Sequence, residues 1–222
     1  MSIHTVVERG PKEKRAVAYA VDWPGWSRGA RSVEEALDTL EAYRDRYRPV
    51  ARHAGLAGEL DDSHALEVVE DRVGNTSTDF WGISHLPASF EHGPMPPAVL
   101  ERRLALLDGA WRFFDEVAAR VSPQMRRGAR GGGRDRDEII AHVFGNERVQ
   151  FSKRVGVATP PGVMLTPDGL RRHREQFLAG LRQYNTEADW KIGRTWTLQY
   201  LLRHCAFHVM DHAWEMEDKD LS

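Results

Sequence analysis

Three histidines near the C-terminus stand four residues apart: His204, His208 and His212, within the run Leu198 to Glu215. On a helix, which turns 100° per residue, Leu198, Leu201, Leu202, Cys205, Val209, His212 and Met216 share one apolar arc. His208 falls at its margin, about 40° from His212. Side chains one turn apart project side by side, so His208 and His212 could grip one ion. His204 lies a further 40° round, toward solvent. An isolated pair of this kind also fits surface histidines, or core histidines that are hydrogen-bonded. It is not a zincin helix, because that motif has Glu directly after its first His and Val209 stands there. A third candidate comes from Glu138 to Glu147, where His142 borders an apolar arc of Ile139, Ile140, Val143 and Phe144, with Asn146 one turn on. One imidazole from this segment and two from the last would leave a coordination position open, the pattern of catalytic rather than structural zinc. Three imidazoles accept zinc, nickel, cobalt or iron.

The elements that must position these side chains follow from periodicity. A helix over 97–121 carries Leu100, Leu104, Leu107, Trp111, Phe114, Val117 and Val121 as its stripe. The stretch Arg126 to Gly133 (RRGARGGG) reads as a flexible basic connector, and a second helix spans 135–155. Thr166-Pro167-Asp168 opens a third helix, with an N-cap followed by proline at the first helical position, and this one runs through Tyr184. The fourth starts near Thr195 or Thr197 and reaches about Glu217. Four such helices are the ingredients of a four-helix bundle. Trp111, Trp190, Trp196 and Trp214 read as anchors of its packing.

Residues 1–72 alternate instead. Thr5 to Glu8 and Ala16 to Val21 are strand-like, separated by Gly10-Pro11 and closed by Trp23-Pro24-Gly25-Trp26. Ser32-Val33-Glu34-Glu35 is a capping box for the helix behind it, and Leu66 to Val69 offers another strand. The expectation is an α+β chain: a small β-β-(β)-α-β domain over 1–72, a linker over 73–93 holding Trp81, His85 and His92, and a helical bundle over 94–222. Removing 1–72 is then expected to leave a soluble helical fragment.

Composition narrows the function classes. The chain has 222 residues, 41% hydrophobic and 29% charged, with 31 basic and 33 acidic side chains and a net charge of −2. Residues 1–72 hold 11 Lys/Arg against 14 Asp/Glu, which argues against a phosphate-binding face, so no nucleic-acid partner is expected. One cysteine excludes an internal disulfide framework and reads as a small buried hydrophobe. No apolar run approaches the ~20 residues of a membrane span, and the first residues lack the apolar region of a signal peptide. A cytoplasmic protein without membrane attachment is expected.

The stretches GGRDRDEIIAHVFGNE (Gly132 to Glu147) and TWTLQYLLRHCAFHVMDHAWEMED (Thr195 to Asp218) resemble the DinB-like superfamily over roughly residues 94–222. That resemblance implies an up-down-down-up four-helix bundle binding a divalent metal, zinc or nickel foremost, with the ligands at His142, His208 and His212. It also implies kinship with thiol-dependent S-transferases, hence transfer or isomerisation of a small-molecule substrate with a low-molecular-weight thiol. Hydrolysis by a metal-bound water is the neighbouring chemistry. No catalytic base apart from the metal-bound group, and no substrate-binding residue, stands out. The segment Tyr19 to Tyr47 resembles a HicB-like fold. The plain reading of that part is an accessory domain that packs on the bundle or mediates oligomerisation, a homodimer included. The alternative for the whole chain is a non-catalytic metal-binding scaffold, or a protein-interaction module with the HicB-like part as its docking domain.

Overall fold

The alternating N-terminal runs form β1 (Ser2–Arg9) and β2 (Ala16–Ala20), antiparallel with Thr5 opposite Ala20 and Arg9 opposite Ala16. They are seen in a computed structural model that describes residues 2–128 and 132–222. The short β3 (Ser27–Ala30) continues the meander on β2. Ser32 then caps α1 (Val33–Ala42), its Oγ accepting from Glu35 N at 3.1 Å while the Glu35 carboxylate accepts from Arg31 N. Two further short helices, α2 (Arg44–His53) and α3 (Ala57–Asp61), lead to β4 (Ala65–Val73), which runs parallel to β1. The sheet is therefore mixed, in the order β3-β2-β1-β4, and the strand-rich N-terminal part agrees with the sequence expectation.

The simple four-helix bundle does not. Eight α-helices lie among the described residues, five of them before or outside the four expected runs or shorter than expected. Within the segment expected to be a linker, Asn75 caps α4 (Thr76–Trp81), accepting from Ser77 N at 2.8 Å. The helical region comprises α5 (Pro97–Arg120), α6 (Arg136–Asn146), α7 (Pro167–Gln183) and α8 (Leu198–Lys219). The run expected to be one helix to Val155 is α-helical only as far as Asn146. It then passes through a π turn, Glu147–Phe151, and a 3-10 turn, Ser152–Val155. Another 3-10 turn, Val163–Leu165, precedes α7. Helix α5 is covered by α2 as well as by α8, so the N-terminal helices share the packing of the long ones. Periodicity missed α2, α3 and α4 because two are only one to two turns long and α2 carries Pro49 inside it. Part of the basic connector, residues 129–131, lies outside the described residues.

The hydrophobic core is continuous. Ile3, Val7, Trp26, Leu40 and Tyr47 from the N-terminal part join Leu104, Trp111, Phe114, Val143, Phe177, Leu201 and Trp214 in one cluster. Trp26 and Tyr47 stack at 5.5 Å, and each spends its polar atom on a carbonyl: Trp26 Nε1 on Leu40 O and Tyr47 Oη on Pro24 O, both at 2.8 Å. Trp214 of α8 packs edge-on against Tyr43 at 4.9 Å, so it ties α8 to the N-terminal part. Gly109 of α5 lets α2 approach: a Cβ there would sit 2.7 Å from the Val50 carbonyl oxygen. The opposite face of the sheet is covered by the chain around Ala88, which packs on Val6 and Tyr19.

Candidate metal centre

Helices α6 and α8 meet at the three histidines singled out in the sequence. Asp135 opens α6, its N–H donating to the Glu138 carboxylate at 2.8 Å, and Thr197 caps α8 by accepting from Tyr200 N at 3.2 Å. Their crossing brings one nitrogen from each of His142, His208 and His212 within 4.8 Å of one another. The ring centroids are 5.1 Å apart for His142 and His208, 4.8 Å for His142 and His212, and 4.7 Å for His208 and His212.

His142 Nε2 and His208 Nε2 face each other at 3.2 Å. Two nitrogens on a tetrahedral ion with ~2.05 Å bonds stand about 3.3 Å apart, so this pair is already spaced for a shared cation. The Nδ1 of His208 is buried and has no hydrogen-bond partner. Burial, followed by the charges of His212, His142 and Arg134, pushes the His208 imidazole down to about 3, so it is neutral with a lone pair at physiological pH. His142 is lowered too, again by burial first and then by His212 and Arg134. The residues fit a divalent ion: three converging borderline nitrogen donors, with burial shifting His142 and His208 toward the neutral form that ligates.

The third imidazole is oriented from outside. His212 Nδ1 lies 2.7 Å from Glu215 Oε2, and Lys219 holds the other oxygen of the same carboxylate. The hydrogen bond from His212 is the main reason the Glu215 carboxyl falls to about 2, ahead of the opposing effect of burial. Asn146 Nδ2 donates to the His142 carbonyl at 3.0 Å and lies 3.3 Å from both ring nitrogens. Asn146 lies on the His142 face, as its four-residue spacing predicts; the role of Glu215 is not among the sequence expectations, although its three-residue spacing from His212 on a helix is the signal that points to it.

His204 corrects the helical-wheel reading. Its half-buried ring does not point to open solvent but packs against His85 at 4.9 Å, Tyr200 at 5.2 Å, Trp196 at 5.6 Å, Phe151 at 5.9 Å and Phe207 at 6.0 Å. Burial drives its imidazole well below the ordinary histidine value. The linker makes this environment: buried Arg203 binds Glu91 at 2.7 and 2.9 Å and the Leu86 carbonyl at 3.0 Å, drawing residues 83–93 over α8. His85 is thus taken up by His204, and His92 by Trp190 at 6.0 Å; neither belongs to the three-histidine cluster. Phe151, delivered by the π turn, stands 5.6 Å from His208 and forms the wall between the two groups. Trp111 and Trp214 are buried as expected, whereas Trp190 and Trp196 are half-buried. Cys205 is buried, which pushes its thiol well above the usual range and suits a packing role.

A second polar group escaped the sequence reading. Glu147, buried at the start of the π turn, faces His173 Nε2 and Arg174 Nε at 3.5 Å each. Burial raises its carboxyl to about 7 against the opposing pull of Arg174. Arg174 spends its remaining donors on Asp115 at 2.6 and 3.3 Å, and His173 Nδ1 is 2.6 Å from Thr159 Oγ1.

Comparison of the chain with protein-family models, with curated proteins and with solved structures finds no match in any of the three. Among the described residues, no helix is long and apolar enough to cross a membrane.

Proposed function

We propose that this chain is a DinB-like metalloprotein in which His142, His208 and His212 hold one divalent ion, zinc or nickel foremost. With a low-molecular-weight thiol, it would catalyse transfer to, or isomerisation of, a small-molecule substrate in the cytoplasm. The observation that carries the metal reading is the 3.2 Å approach of two imidazole nitrogens from different helices, with a third nitrogen inside 4.8 Å. The thiol reading rests on the likeness of residues 94–222 to that superfamily, and the reducing compartment on the single buried cysteine.

A bound divalent ion supplies a Lewis acid that stabilises a thiolate, or a hydroxide, at neutral pH. The chain's own residues do the rest. Glu215 fixes the tautomer of His212 by accepting from Nδ1, leaving Nε2 with the lone pair. Burial keeps His208 a neutral donor. Phe151 walls the cluster on one side. Arg134, at the end of the basic connector, is the cation whose charge reaches both His142 and His208, and it suits an anionic group on thiol or substrate.

Cobalt substitution tests this reading. The Co(II)-loaded full chain, titrated with 2-mercaptoethanol, is expected to gain a sulfur-to-cobalt charge-transfer band. A cobalt spectrum unmoved by thiol overturns the transferase reading and leaves a metal-binding scaffold.

A further inference from the structure

Two successive arginines on α5 meet different surroundings. Arg102 is fully engaged. Its Nε and Nη2 lie 3.4 and 3.1 Å from Glu59 Oε2, its Nη1 donates to the Asp22 carbonyl, and its guanidinium stands 4.5 Å from the centre of the Trp23 ring. Arg103 is buried, only 7% exposed, yet forms no ion pair with any described residue. Its Nη1 donates to Gln199 Oε1 at 3.0 Å and its Nη2 to the Val21 carbonyl at 3.4 Å, both neutral acceptors. Two carboxylates act on it from further off, and each has another partner. Glu91 is held by Arg203 at 2.7 Å, and Asp22 lies 3.1 Å from the half-exposed ring of His4. Burial outweighs both and pulls the Arg103 guanidinium below its ordinary value. A buried cation without a counter-ion is costly, so a charge of opposite sign is missing from its surroundings.

Arg103 borders a cavity of about 210 Å³. Because β1 and β2 are antiparallel, Ser2 at the start of one and Asp22-Trp23 just past the end of the other share its walls, and the first turns of α5 close over them. Glu59, also in the wall, neutralises Arg102. One cation, Arg103, and one carboxylate, Asp22, are then left facing the same space, too far apart to pair with each other. Trp23 and Val99 supply the apolar part of the lining, and the Ser63 hydroxyl is spent on the Glu59 carbonyl at 2.7 Å. A plain carboxylate entering here meets Asp22 and Glu59, and a plain amine meets two guanidinium groups. A small molecule bearing both charges satisfies the pair that is left over. We infer that this cavity binds a free aliphatic α-amino acid, its carboxylate on Arg103, its ammonium on Asp22 and its side chain against Trp23 and Val99. The site shares no residue with the three-histidine cluster.

Isothermal titration calorimetry of the full chain, with no metal added, tests the inference with three molecules of one shape. These are L-valine, isovalerate, which lacks the amine, and isobutylamine, which lacks the carboxylate. L-valine is expected to bind, and each analogue at least about tenfold more weakly. Arg103→Gln is expected to weaken L-valine about tenfold or more, with far-UV circular dichroism to show that the buried substitution leaves the fold intact. Should that variant fail to fold, Asp22→Asn, at a half-exposed side chain, serves in its place. It is expected to weaken L-valine about tenfold and to narrow the gap between L-valine and isovalerate. Absence of L-valine binding at millimolar concentration, equal binding of L-valine and isovalerate, or an affinity indifferent to Asp22→Asn overturns the inference.

Discussion

His212 Nδ1 is 2.7 Å from Glu215 Oε2, and this contact decides which nitrogen of His212 is available to the cluster. An imidazole that donates from Nδ1 keeps its lone pair on Nε2. Lys219, one turn beyond Glu215, holds the other carboxylate oxygen and keeps the carboxylate from swinging away. The cluster is therefore built in two layers, with converging nitrogens inside and a fixed carboxylate behind one of them.

Loosening the outer layer should weaken the inner one without abolishing it. Glu215→Ala is expected to lower metal affinity by roughly 10–100-fold, and Glu215→Gln by less, since its amide oxygen can still accept from Nδ1. Competition with a chromophoric chelator measures both. Equal affinities for wild type and Glu215→Ala would show that the contact does not orient His212.

Glu147 makes a prediction about pH. Its carboxyl rises to about 7 in the folded chain, first through burial, from an ordinary value near 4.5. A raised folded pKa stabilises below the unfolded value, and that stability is lost as pH climbs from about 4.5 through 7. Glu147→Gln carries no such loss. Relative to wild type it should gain stability between pH 5 and pH 8, by up to about 3 kcal/mol. Urea unfolding of both proteins at the two pH values gives the difference. A gap independent of pH would mean that Glu147 is ionised in the fold throughout.

The packing of α2 on α5 is tested at Gly109. A methyl there meets the Val50 carbonyl oxygen at 2.7 Å, a backbone atom that cannot rotate away, so the helices must separate. Gly109→Ala is expected to cost roughly 1–3 kcal/mol despite its better helix propensity, read by thermal or urea denaturation. By the same packing, residues 73–222 alone would expose the surface that Tyr47, Val50 and Trp26 now cover, and the fragment is expected to aggregate. A fragment that stays soluble with full helical circular dichroism would instead bear out 1–72 as a separable domain.

The legible features were those written in local spacing. The four-residue step from His208 to His212, the capping box at Ser32, the Thr166-Pro167 start of α7 and the alternation in β1 and β2 are each set by neighbours along the chain. Less visible was what depends on distant segments. His204 looked solvent-facing on a helical wheel because the wheel cannot show a linker drawn across α8 by Arg203 and Glu91. The break in α6 follows from Glu147 turning inward to His173 and Arg174 on α7, a contact across 26 residues of sequence. The bundle expectation counted only long apolar stripes, so it missed α2, whose few buried residues, Tyr47, Val50 and Ala51, suffice because they land on α5.

Metal content bears most directly on the central claim that His142, His208 and His212 form one site with His204 outside it. Untagged wild type and the four single alanine variants, loaded with zinc, desalted and measured by inductively coupled plasma mass spectrometry, give the comparison. Wild type and His204→Ala are expected to retain about one ion per chain, while His142→Ala, His208→Ala and His212→Ala each lose most of it. Full zinc in His142→Ala together with an empty His204→Ala would contradict the ligand set and the pairing of α6 with α8 as its frame.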